Sequence, residues 1–208
     1  MRLRHKKWTD EVLAANKDIG INLADLTDEE ALKKYTNLEI GSGLGGFLLA
    51  ISKNNPSSLY LGVEININAF ALAVKNAAKV KEEQKNFLLV NAPIERIFPL
   101  IGDEQLDNIY INFPDPWPKK RQHHRRLSYP VRLEEYFRML KPGGHLYFRS
   151  DNVDLFEDSV EYFKTFGKFK YEIIRPFYSE NVSYLPATEY ERKFRAQGVD
   201  INLLIATK

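Results

Sequence analysis

Three groups of residues have the types and spacing to do chemistry. The first is a glycine turn, "GSGLGG" (residues 41–46), which satisfies G-x-G-x-x-G through Gly41, Gly43 and Gly46; Glu64 lies 21 residues beyond Gly43 at the end of an apolar run. Glycines so spaced let a ligand approach the backbone closely, and a strand-end acid accepts hydrogen bonds from ribose hydroxyls. The second is "FPDPWP" (residues 113–118), where Pro114 and Pro116 hold Asp115 without rotational slack. The third follows at once: seven of the eight positions from Lys119 to Arg126 are lysine, arginine or histidine. A charge run is ordinarily a solvated face, but at a ligand-binding strand end it suits phosphates.

The glycine turn fits two ligand classes. Besides the dinucleotide fingerprint, Glu39, Gly41, Gly43 and Gly45 fit E-x-G-x-G-x-G, the pattern at the first turn of S-adenosylmethionine-dependent methyltransferases. Electrostatics separates them. A dinucleotide puts an anionic pyrophosphate over the turn, where an entering acid is unwelcome. S-adenosylmethionine has no phosphate and carries a sulfonium and an ammonium, which a buried carboxylate helps hold. Glu39 therefore favours S-adenosylmethionine.

The elements that must position these groups alternate from Leu38 onward. "NLEI", "LYLGVE", "NFLLV", "LDNIYINF" and "HLYFRSD" read as strands. "FLLAISKNN", "NAFALAVKNAAKVKEEQ", "VRLEEYFRMLKPGG" (closed by its Lys-Pro-Gly-Gly turn) and "LFEDSVEYFKTFG" read as helices, with a short helix opening at Pro93. The tail offers "KYEIIRPF" and "VDINLLIATK" as an antiparallel pair. The expected fold class is α/β, Rossmann-like: a doubly wound, mostly parallel sheet with an antiparallel C-terminal strand pair. In that architecture ligands sit at the carboxyl ends of strands, where "EIGSGLGG", Glu64, Asn91, "FPDPWP" and "SD" all fall. Residues 1–36 read as a basic N-terminal arm with a short helix around "WTDEVLAANK", and residues 37–208 as one catalytic domain. His145, inside a strand, reads as structural.

At 208 residues, 44% hydrophobic and 28% charged, the chain has the composition of an ordinary globular protein. Net charge is only +2, but basic residues crowd into "MRLRHKK" and "KKRQHHRR". With no cysteine, disulfides, thiolate catalysis and Cys-based metal sites are excluded. No apolar run approaches membrane-spanning length, and Asp10 and Glu11 follow the basic N-terminus too soon for a transit peptide. The expectation is a cytoplasmic protein with neither metal nor membrane partner; monomer and homodimer both remain open.

From "MRLRHKKW" through "LEIGSGLGG", "GVEI", "PDPWPKKR", "RSDN" and "TEYERKF", the chain resembles the bacterial tRNA (guanine-N(7)-)-methyltransferase family, the TrmB type. The resemblance implies a class I S-adenosylmethionine-dependent enzyme that methylates N(7) of the variable-loop guanine (position 46) of tRNA. It puts Glu39, Glu64, Asn91 and Asp115 around the cofactor, beside Gly41 and Gly43 of the turn, with Asp115 also catalytic. It puts Lys119, Asp151, Thr188, Glu189, Tyr190 and Glu191 on the substrate, and Arg121, Gln122, His123, His124, Arg125 and Arg126 on the RNA. One departure is Asn91, where the family often carries an acid. On the residues alone, "TEYE" reads as a surface turn and Asp151 as a helix cap. The alternative activity is amino-methylation of another nucleic-acid base, because "PDPW" is distantly similar to the acid-or-amide-Pro-Pro-aromatic motif of those enzymes.

Overall fold

The computed structural model describes residues 7–182 and 184–208. The basic residues of "MRLRHK" lie outside that range. The chain packs as two compact units, 1–101 and 102–208.

In the first unit, strands β1 (Gly20–Asn22), β2 (Asn37–Ile40), β3 (Tyr60–Glu64) and β4 (Phe87–Asn91) run parallel in the order β1-β4-β3-β2. Both faces of β2 and β3 are buried, so even Asn37, Glu39 and Glu64 are covered and the polar positions of these strands do not mark a solvent face. Helices α2 (Gly46–Asn54) and α3 (Ile67–Ala77) pack on the sheet, and α1 (Lys7–Ala14) packs on α3. Gly62 admits close packing: a Cβ there would come within 2.8 Å of Leu48 and 2.9 Å of Leu89. The α3 pattern "INAFALAVKNA" buries Phe70, Ala71, Ala73, Val74 and Ala77, and Asn66 caps its start by accepting from the Asn68 and Ala69 N–H groups. Strand β1 was not expected from sequence; three residues are too few to show a period.

In the second unit, β5 (Leu106–Asn112) pairs parallel with β6 (Leu140–Ser150). The tail pair β7 (Lys170–Ile174) and β8 (Asn202–Thr207) continues antiparallel, in the order β5-β6-β8-β7. Helices α4 (Pro130–Met139), α5 (Val153–Phe166) and α6 (Glu189–Ala196) complete it. The mixed α/β sheet with mostly parallel strands and an antiparallel C-terminal pair is the architecture expected. "LKPGG" differs: α4 stops at Met139, and the Lys-Pro-Gly-Gly segment bulges within β6. Leu106 pairs with Leu140, but two residues later Asn108 pairs with His145. Backbone bonds between Gly143, Gly144 and Lys208 secure the bulge. His145 is structural, its Nδ1 lying 3.0 Å from Thr207 Oγ1 across the strand pair. Among the described residues no helix is long and apolar enough to cross a membrane.

Candidate active site

The carboxyl ends of β2, β3 and β4 bring one set of expected residues together in the first unit. β2 runs into the glycine turn, where Gly41 and Ser42 both donate to Val63 O (2.8 and 3.1 Å). The turn takes φ +77° at Gly41 and +54° at Gly43, which disfavours any side chain. A Cβ at either would meet nothing within 4 Å, so the backbone lies open to a ligand. Glu64 closes the turn from β3: its Oε2 accepts the Gly43 N–H at 2.9 Å and its Oε1 the Asn66 N–H at 2.7 Å. A carboxylate oxygen has more than one acceptor position, so bonding to backbone N–H groups is compatible with a carboxylate that takes ribose hydroxyls.

Asn91 lies in register with Glu64 and donates from Nδ2 to Glu64 O at 2.7 Å. That bond explains the amide. A carboxylate would face a carbonyl with no proton to give, whereas the amide donates inward and keeps an acceptor oxygen. Glu39 is 3% exposed on β2. A buried acid on the strand that feeds the turn, with Glu64 and Asn91 beside it, suits the sulfonium, ribose and adenine of S-adenosylmethionine and opposes a pyrophosphate.

The second unit builds the elbow. β5 ends at Asn112, and the chain turns through Phe113 at φ +51° and Trp117 at φ +40°. Two aromatic residues in the left-handed region bracket Pro114-Asp115-Pro116, at a cost of order 1–3 kcal/mol each. Phe113 is held by its N–H bond to Arg149 O (2.9 Å) and by its ring, 6.0 Å from those of Tyr190 and Phe194. Asp115 is exposed between the prolines.

Arg149 on β6 organises the neighbourhood. Its Nε donates to Asn112 Oδ1 (2.7 Å), and its Nη1 to Pro186 O and Glu191 Oε2 (both 3.1 Å). The Arg149–Glu191 pair is wholly buried. "TEYE" is therefore no surface turn. Thr188 is the N-cap of α6, its Oγ1 accepting the Glu191 N–H at 2.9 Å, as a T-x-x-E capping signature foretells. The Glu191 carboxylate instead takes Arg149 and the Ser179 N–H. Of this substrate group, Glu189 and Tyr190 are exposed, Thr188 and Glu191 buried. Asp151, half-buried after β6, does not cap α5; Asn152 does, its Oδ1 accepting the Leu155 N–H at 2.8 Å.

The basic run forms a 3₁₀ turn over Lys120–Arg125. Lys119, Lys120, Arg121, His124 and Arg125 are exposed, while Gln122 and His123 are half-buried. The Arg125 guanidinium lies over the Trp117 ring at 4.9 Å, tying the basic turn to the elbow. Arg132 of α4 braces the turn by donating to the carbonyls of His124 (2.7 Å) and Arg126 (3.2 Å). Arg126 departs from expectation. It is 2% exposed and turned inward, its Nη1 2.5 Å from Asp158 Oδ2, so in this structure it presents no cation to RNA. Asp158, Tyr162, Arg149 and Arg132 had no sequence signal beyond their type, since their partners are distant in the chain.

Among the described residues no group of three or more His, Asp or Glu side chains is placed to hold a metal ion. A family described as putative methyltransferase matches residues 33–204. The tRNA (guanine-N(7)-)-methyltransferase of Bacillus subtilis (strain 168) is 35% identical over 207 residues, covering 97% of this chain and 96% of that protein. Among solved structures, the 16S rRNA methyltransferase KamB superposes with a TM-score of 0.61 at 19% identity, over 99% of this chain and 94% of that one. The Haemonchus contortus phosphoethanolamine N-methyltransferase 2, solved with S-adenosyl-L-methionine, superposes at 0.52 and 14% identity, over 97% of this chain and 52% of that one. The two superpositions establish a shared methyltransferase fold, and the family match and near-complete coverage at 35% identity go further: this chain belongs to the tRNA (guanine-N(7)-)-methyltransferase family.

Proposed function

We propose that the protein transfers the methyl group of S-adenosylmethionine to N(7) of the variable-loop guanine (position 46) of tRNA, in the cytoplasm. The observation that carries this reading is the exposed Asp115 in a proline-bracketed elbow opening onto five exposed basic side chains, in a chain 35% identical to a tRNA (guanine-N(7)-)-methyltransferase.

S-adenosylmethionine, when bound, supplies a methyl group activated on a sulfonium. Glu64 and Asn91 bind its ribose and adenine, Glu39 balances its cationic end, and Gly41 and Gly43 let it lie against the backbone. Guanine N(7) carries a lone pair and no proton, so no residue need act as a base. Asp115 accepts from the N–H donors of the guanine Watson–Crick edge. Its charge also opposes the positive charge that methylation moves onto the purine, an interaction stronger in the transition state than before it. Holding the base in line is the larger contribution, since orientation is worth roughly 7–11 kcal/mol. Lys119, Asp151 and the exposed Glu189 and Tyr190 contact the nucleotide, while Arg121, His124 and Arg125 take phosphates. N(7) of duplex RNA lies in a groove too narrow for side chains, so the target is an irregular region of the tRNA.

Incubation with S-adenosylmethionine and unmodified tRNA, followed by mass mapping of the nucleosides, tests this. N(7)-methylguanosine at position 46 is expected. Methylation of an exocyclic amine instead would reassign the enzyme to the amino-methyltransferases.

A further inference from the structure

Arg126 closes the basic run, yet its guanidinium points into the protein. Nε donates to Pro116 O at 2.9 Å, and Nη2 lies 3.5 Å from Trp117 O. Nη1 reaches Asp158 Oδ2 at 2.5 Å and the Tyr162 hydroxyl at 3.5 Å. The two carbonyls belong to the two residues that follow Asp115 in the elbow. A guanidinium only 2% exposed needs its donors matched within the protein, and here the elbow backbone and one carboxylate match them.

Among the described residues nothing donates to the Asp115 side chain, so the backbone that carries it sets its position. That backbone is strained on both sides, at Phe113 and Trp117. Phe113 is fixed by Arg149 O and two rings; the far side is fixed by Arg126. We infer that Arg126 is a positioning residue that sets Asp115 by clamping the Pro116 and Trp117 carbonyls, with Asp158 as its counter-ion, and that it binds no tRNA phosphate. The clamp rests on the role proposed above for Asp115. It also gives the basic run a division of labour: Arg121, His124 and Arg125 face the solvent, while the next residue anchors the elbow they adjoin.

Arg126→Lys separates clamp from phosphate ligand. Lysine keeps the charge but has one nitrogen in place of the planar fork, so it cannot reach both carbonyls and Asp158 together. The clamp predicts a kcat about tenfold to a hundredfold lower, because small misplacements of a reacting group are costly. It also predicts an unchanged affinity for tRNA and an unchanged salt dependence of binding. A wild-type kcat in this variant overturns the proposal. So does an Arg126→Gln variant whose slope of log K against log salt drops by about 0.7–0.9, the signature of one phosphate left unneutralised.

A readout independent of turnover keeps clamp and function apart. In a Trp8→Phe background, emission reports Trp117 alone, and Arg126→Lys is expected to shift it; identical spectra count against the clamp even if the enzyme proves to have another substrate. Asp158→Asn, at a side chain 45% exposed, is the second variant should Arg126→Lys not fold. It is expected to lower kcat with tRNA affinity retained, and unaltered kcat and emission there would equally overturn the inference.

Discussion

Asp115 carries the proposed chemistry, and its surroundings say how. It is exposed, flanked by two prolines, and set in a strained turn pinned at Phe113 and at Pro116–Trp117. Asp115→Asn should therefore slow methyl transfer greatly, because the amide carries no charge to oppose the one developing on the purine. Affinity for S-adenosylmethionine should stay within about a few-fold, since Glu39, Glu64 and Asn91 remain. Single-turnover kinetics beside equilibrium titration checks this, and near-wild-type turnover would remove Asp115 from catalysis. Asn91 makes the complementary point. Its Nδ2 bond to Glu64 O gives the amide a reason that composition alone withholds.

Helix α6 shows how an element is installed for a site. Its N-cap Thr188, the buried Glu191 and the Tyr190–Phe194 ring pair dock it on Arg149 and Phe113, beside the elbow. Glu191→Ala strands the Arg149 guanidinium in a dry interior. Breaking such a pair costs about 3–5 kcal/mol, so the urea midpoint should fall accordingly; a destabilisation under about 1 kcal/mol would contradict that packing. The other face of α6 is held from outside. Hydrogen bonds from Arg195 lower the Glu180 carboxyl from 4.5 to about 2. A depressed acid contributes stability that is present above about pH 4.5 and is lost as pH falls toward about 2. The pair is exposed, so the contribution is small. Glu180→Gln should flatten that acid limb of a pH-stability series and leave neutral stability nearly unchanged.

For the whole molecule, partner choice follows from where charge is gathered. A net charge of +2 gives little steering, so the proposed tRNA binding calls for a local concentration of cations such as the basic turn. Neutralising Arg121 and Arg125 together should reduce the slope of log K against log salt by about 0.7–0.9 for each phosphate no longer neutralised, read from titrations at several salt concentrations. An unchanged slope would mean that the turn faces away from the RNA. Ligand choice has an equally direct measure. S-adenosylmethionine should raise the melting temperature, by about 2.7 kcal/mol of added stability at a hundredfold excess over its Kd, whereas NAD should not. The reverse result would mean that the glycine turn takes pyrophosphate despite Glu39.

Much of this was legible in the residues. Short, largely apolar segments between helical patterns gave most of the parallel strands, because a strand buried on both faces needs no regular alternation. The period of "INAFALAVKNA" gave α3, the glycine spacing gave the turn, and the prolines gave the elbow its stiffness. All of these are local constraints, fixed by sterics over a few neighbouring residues. Strand β1, the "LKPGG" bulge and the burial of Glu191 against Arg149 were not legible, since each depends on what a segment packs against. The sharpest division falls between Arg125 and Arg126. Adjacent and chemically identical, they differ only in surroundings: one lies exposed over the Trp117 ring, while the other meets Asp158 and Tyr162, 32 and 36 residues along the chain. Sequence supplied the cations; folding, by bringing distant acceptors to one of them, decided which could face a nucleic acid.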